Sequence, residues 1–76
     1  MNEAYVLLNV DYKYQKNIIE KAKKIPAVES VKTTYGIYDI LIILESDKMQ
    51  EIKQAIDVDL HNIEGINNLT SLISVS

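Results

Sequence analysis

The sequence predicts an α+β fold in which one four-stranded antiparallel sheet carries two helices, in the order strand, helix, strand, strand, helix, strand. Three observations predict it. Residues 4–10 and 37–45 read as strands that are apolar on both sides. Two other stretches repeat apolar residues at helical spacing: Tyr14, Ile18, Ala22 and Ile25, then Met49, Ile52, Ile56, Leu60 and Ile63. The punctuating residues Pro26, Gly36 and Gly65 fall between these blocks. This order is the split βαβ, or ferredoxin-like, plan, βαββαβ, whose first and third strands are central.

Each element has its own justification. In the first strand Ala4, Val6, Leu8 and Val10 share one side, and Tyr5 and Leu7 the other. Asp11 opens a polar connection to a first helix at about residues 13–24. Glu20 and Lys24 stand four apart on its wet side, and Pro26 disfavours helical geometry at Ile25 and ends it. Residues 28–35, rich in Val, Thr and Tyr, form the second strand, and Gly36 marks a hairpin turn into the third. Asp47, with Gln50 three residues on, has the pattern of a capping box for the second helix. Gly65 stops that helix, and residues 69–75 form a loosely alternating last strand.

Composition limits the function. The chain has 76 residues, enough for one domain, residues 1–76, and 47% of them are hydrophobic. There is no cysteine and one histidine, His61, so neither a disulfide nor a structural metal site is expected. The net charge is −3 and all eight basic residues are lysines, which argues against direct nucleic-acid binding. Five of these lysines fall between Lys13 and Lys24, where with Asp11 and Glu20 they read as a solvated helix face rather than a membrane-binding one. With no basic leader and no apolar run longer than residues 40–44, the expectation is a soluble, cytoplasmic chain with no membrane partner and no cofactor.

Two helices cover one face of a four-stranded sheet. Tyr5, Leu7 and one apolar row of the third strand belong to the other face. An exposed apolar face of this kind is unusual for a monomer. The simplest remedy is a homodimer packed sheet to sheet, a dimeric α/β-barrel-like assembly.

The stretch Tyr35-Gly36-Ile37-Tyr38-Asp39 carries the chemistry. It places a carboxylate at the mouth of an apolar strand, where an unpaired acid is expensive. Its partner is a backbone turn, a neighbouring subunit or a cationic ligand group. Gly36 supplies a positive φ in the turn and leaves room for a ligand near the backbone. Tyr38 and Tyr35 read first as cross-strand packing and second as pocket walls. Thr34 and Ser71 offer hydroxyls to water or to a ligand carboxylate.

The chain resembles the effector-binding domain of the Lrp/AsnC regulators, and more closely its stand-alone form without the DNA-binding helix-turn-helix. The resemblance rests on the opening strand at residues 4–10, on Lys24-Ile25-Pro26-Ala27-Val28 at the helix exit, on Tyr35-Gly36-Ile37-Tyr38-Asp39, which resembles the family's Gly-x-Tyr-Asp hairpin, and on Ile63-Glu64-Gly65-Ile66 before the last strand. Glu64 departs from the family's usual Pro. Leu69 stands where many members have Thr, which removes a hydrogen-bonding group from the effector region.

The resemblance implies sheet-to-sheet dimers that assemble further, and a small metabolite, typically an amino acid, between dimers near Gly36 and Asp39. Tyr38, Thr34 and Ser71 are the supporting ligand-binding residues. It also implies transcriptional modulation through mixed assemblies with full-length relatives, and no catalysis. The alternative is a small dimeric enzyme of the same fold, of the monooxygenase or isomerase type. Such pockets need a His, Arg or acid inside them, and this chain offers little beyond His61 and Asp39. The fold alone does not choose between these functions.

Overall fold

Alternation along the two central strands sets the layers. In the computed structural model, which describes residues 1–74, β1 (Asn2–Val10) pairs antiparallel with β3 (Ile40–Ser46). Ala4, Val6 and Leu8 lie opposite Leu44, Ile42 and Ile40, and all six are fully buried. Their neighbours Tyr5 and Leu7 lie opposite Ile43 and Leu41 on the other face. The edge strands are β2 (Val28–Thr33) and β4 (Ile66–Ser74), giving the sheet order β2-β3-β1-β4.

The helices α1 (Gln15–Lys23) and α2 (Met49–Gln54) cover the buried face with Ile18, Ala22 and Ile52. Ile25, Ala55, Ile56, Leu60 and Ile63 complete a core that holds no buried polar or charged residue among those described. This is the ferredoxin-like βαββαβ arrangement expected. Among the described residues, no helix is long and apolar enough to cross a membrane.

Local differences have physical reasons. A 3-10 turn, Tyr12–Tyr14, precedes α1, and the Asp11 carboxylate caps it by accepting the Lys13 N–H at 3.3 Å. The expected Asp47 capping box is absent: the N-cap position falls on Lys48, whose side chain makes no capping bond. Ahead of it, Ser46 Oγ accepts the Lys48 N–H at 3.1 Å and donates to the Glu51 carboxylate, a local turn that leads the chain into the helix.

The second helix widens after Gln54 into a π-helical stretch, Ala55–Leu60, whose Ala55, Ile56 and Leu60 are buried while Val58 stays exposed. β3 begins at Ile40, not at residue 37, because residues 34–39 are held in a closed loop. β4 begins at Ile66, earlier than expected, and its expected end at Val75 lies outside the described residues. Leu69 pairs with Leu8 and packs against the core.

Gly65 has a reason the sequence did not reveal. Its φ is +99°, and a Cβ there would stand 2.7 Å from Tyr14 Cγ and closer still to Tyr14 Cβ. Its carbonyl accepts the Asp11 N–H at 2.8 Å. Gly65 therefore docks the start of the first helix against the start of β4.

Candidate functional site

The hairpin of residues 34–39 is tied to β1 at several points. The Thr34 N–H donates to the Asp39 carbonyl at 3.0 Å, closing the loop. Thr34 Oγ1 donates to the Tyr38 carbonyl at 2.7 Å. From β1, Asn9 Nδ2 donates to the Ile37 carbonyl at 2.6 Å. The Asp39 N–H donates to the Leu8 carbonyl at 2.8 Å, and Asp39 Oδ2 accepts the Val10 N–H at 2.9 Å. Gly36 sits at the exposed tip with φ +117°, and no atom lies within 4 Å of where a Cβ would be. At this tip the glycine meets a conformational need, since L residues rarely adopt that φ.

Asp39 thus has a backbone partner, on β1 rather than in its own turn. Oδ2 meets it. The residue also lines a cleft of about 340 Å³ between the hairpin and the 3-10 turn, walled by Tyr12, Gln15, Thr33, Thr34, Tyr35 and Asp39. That volume is at the lower end of the range of about 300–1,000 Å³ seen for small-molecule sites. Asp39 is the only charged residue in its wall.

Of the residues expected from sequence, the protomer brings Thr34, Tyr35 and Asp39 into this cleft. Gly36 lies at the adjoining tip. Tyr38 is half-buried and contributes its carbonyl to the loop. Ser71 is exposed on the edge strand β4, opposite Val6, and does not line the cleft. Leu69, expected near the effector region, is half-buried and packs against the core. Tyr12, Gln15 and Thr33 were not anticipated. The one sequence signal for Tyr12 and Gln15 was a polar connection after β1, which says nothing of what it will face, and Thr33 read only as part of the second strand.

The role expected for Thr34 changes in one respect. Its hydroxyl proton is committed to the Tyr38 carbonyl, so toward a ligand it is an acceptor only. A larger cleft, of about 420 Å³, lies between the end of α1 and the π-helical stretch and contains none of the expected residues. His61 caps the π-helical stretch, is exposed, and is not part of the Asp39 cleft. Of the two groups weighed for an enzyme, Asp39 lines this cleft and His61 does not.

The open sheet face carries Tyr5, Leu7, Leu41, Ile43 and Leu72 as its apolar centre. Tyr5 is 37% and Leu72 64% exposed. Glu3 and Glu45 pair across β1 and β3 at one end of this face. The Tyr5 hydroxyl donates to Glu3 Oε2 at 3.4 Å. The Glu3 carboxylate raises the Tyr5 pKa above the usual tyrosine value of 10.0, with further contributions from desolvation and from Glu45.

Comparison with known proteins places this geometry. The profile of the Lrp/AsnC ligand binding domain matches residues 3–76. The HTH-type transcriptional regulator LysM of Saccharolobus solfataricus is 39% identical over 56 residues, which are 74% of this chain and 39% of that regulator. The match thus spans well under half of the regulator's length. Among solved structures, hypothetical protein PHS023 from Pyrococcus horikoshii has a TM-score of 0.89 and 22% identity, covering 100% of this chain and 92% of that one. Transcriptional regulator NMB0573 from Neisseria meningitidis, solved as its L-Met complex, has a TM-score of 0.83 and 16% identity, covering 99% of this chain and 50% of that one. At such identities the two structures establish the shared fold. Fold and family profile agree, and the chain belongs to the Lrp/AsnC ligand-binding domain family, whose role is regulatory ligand binding.

Proposed function

We propose that the chain is a non-catalytic module that binds an amino acid or similar small polar metabolite and assembles with further copies through its open sheet face. One observation carries the ligand reading. The Asp39 carboxylate is fixed through Oδ2 by the Val10 N–H and forms the only charge in the wall of the hairpin cleft. A fixed carboxylate with no lysine in the same wall suits an α-ammonium group. The L-Met complex of the Neisseria regulator supports the choice of ligand class. Gly36, Tyr38, Thr34 and Ser71 are the supporting residues of the proposed site. Ser71 takes part only if a neighbouring subunit brings it to the cleft.

Assembly follows from the face that the helices leave open. Tyr5, Leu7, Leu41, Ile43 and Leu72 give that face an apolar centre, with Tyr5 and Leu72 exposed, and an exposed apolar patch of this kind marks an interaction site. In this reading transcription is modulated through mixed assemblies with full-length relatives.

Calorimetry with each of the twenty amino acids tests the ligand, and native mass spectrometry tests the assembly. A charge-assisted hydrogen bond is worth about 1.5–3 kcal/mol, so Asp39→Asn should weaken binding by roughly ten- to a hundredfold. Equal affinity in the two forms would leave Asp39 a purely structural residue, and no binding by the native chain would refute the ligand reading. For the assembly, Leu7→Lys should give monomers, because it would bury an unpaired charge. A native chain that is already monomeric at micromolar concentration would refute that half.

A further inference from the structure

We infer that the Asp39 cleft selects the ammonium group and reads the carboxylate of its ligand only weakly, so that primary amines lacking a carboxylate bind it as well. The inference rests on the ligand site proposed above and specifies which end of the ligand that site recognises.

The charge inventory is one-sided. Asp39 is the only charged residue in the wall, and no lysine lines it. Thr34 can only accept, since its proton is held by the Tyr38 carbonyl. Carboxylates are often bound by free N–H groups at a helix start, and the first helix begins beside this cleft. Three of the N–H groups there, however, are already taken. Asp11 Oδ1 accepts the Lys13 N–H, the Asp11 carbonyl accepts the Tyr14 N–H at 2.9 Å, and the Tyr12 carbonyl accepts the Gln15 N–H.

The side-chain donors that the wall offers a ligand carboxylate are neutral: the Gln15 amide, the Thr33 hydroxyl and the Tyr12 and Tyr35 phenols. Such bonds are about half as strong as charge-assisted ones. A ligand carboxylate therefore finds no cationic partner among the described residues of this wall. Tyr12 and Tyr35, the most exposed aromatic rings of the chain at 85% and 105%, stand ready to close over an ammonium-bearing chain.

The test is calorimetry on matched series built from methionine, leucine and lysine. Each series holds the amino acid, its decarboxylated amine and its N-acetyl derivative. At least one amine should bind within tenfold of its parent, or more tightly, and the N-acetyl compounds should not bind. Asp39→Asn should weaken the amine by at least tenfold, and added salt should weaken it in the native chain.

If the parents bind and every amine is more than tenfold weaker, the inference is overturned while the amino-acid reading stands. If amines bind and no parent does, the inference stands and that reading falls. If no member of any series binds, both fall.

Discussion

Two glycines with almost the same backbone conformation should respond very differently to alanine. Gly36 has φ +117° with open space where a Cβ would go, whereas Gly65 has φ +99° with Tyr14 in that space. Holding an L residue at positive φ costs about 1–2 kcal/mol. Alanine regains about 0.4–1 kcal/mol by restricting the unfolded chain. Gly36→Ala should therefore lose about 1 kcal/mol. At Gly65 the new Cβ meets the base of the Tyr14 side chain, not a flexible tip, so a backbone must move. Overpacking of that kind adds about 1–3 kcal/mol. The expected loss for Gly65→Ala is about 2–4 kcal/mol.

For a chain of 76 residues the whole stability is only about 4–11 kcal/mol. Urea unfolding of both variants at one fixed protein concentration measures the difference and holds any association constant. In melting temperature each kcal/mol should appear as about 4–8 °C. Equal losses at the two positions would refute the close packing of Tyr14 on Gly65 and leave backbone conformation as the whole effect.

Two further outcomes follow from the same geometry. Asp39→Ala should destabilise the fold by about 1–3 kcal/mol, because it leaves the half-buried Val10 N–H without an acceptor. Asp39→Asn, which keeps an oxygen there, should lose less in the same unfolding assay. Tyr5 should show a pH dependence at the alkaline end. Its pKa is raised in the folded chain, chiefly by Glu3, so its contribution is complete below the ordinary value of 10.0 and is lost as pH rises through the folded pKa. Phenolate absorbance against pH should place one tyrosine late in titration, and Tyr5→Phe should remove it while Glu3→Gln brings it earlier.

The layers of the fold were legible because burial follows a period of two along β1 and β3. Ala4, Val6 and Leu8 could be assigned to one face, and Tyr5 and Leu7 to the other, from order alone. The same alternation announced the open face before any partner was considered. Half of the cleft was legible for a different reason. Thr34, Tyr35 and Asp39 are neighbours in sequence and remain neighbours around a tight loop. Tyr12 and Gln15 reach the cleft only because the first helix starts where Gly65 lets Tyr14 approach and where the Gly65 carbonyl holds the Asp11 N–H. That placement is a tertiary contact between residues fifty positions apart, and no local pattern encodes it. The cap of α2 was not legible for a local reason: the Asp47 and Gln50 spacing sets the helix start one residue early, and the N-cap position falls on Lys48.

The position of Asp39 joins the two halves of the proposed function on one strand. β1 sends Asn9 and the Val10 N–H to the hairpin, and it sends Tyr5 and Leu7 to the open face. A ligand drawn to the free side of the Asp39 carboxylate pulls on a group whose other oxygen is bonded to β1. A second copy covering the sheet presses on that strand from the opposite face. Whatever shift of β1 one event favours, the other must favour or oppose by the same free energy, since coupling between binding sites is reciprocal. The register of β1 against β3 is continuous from Asn2 to Leu8, while the irregularity between Asn9 and Val10 on its β4 side lies where the hairpin is attached. A bulge locally disrupts the ladder, and here it falls at the residues that hold Asp39 and the Ile37 carbonyl. The pairing of β1 is thus irregular where the cleft meets it and regular along Tyr5 and Leu7, where the second copy is proposed to dock. Strain from the cleft would be taken up first at Asn9 and Val10, and only its remainder passed along β1 to Leu7 and Tyr5.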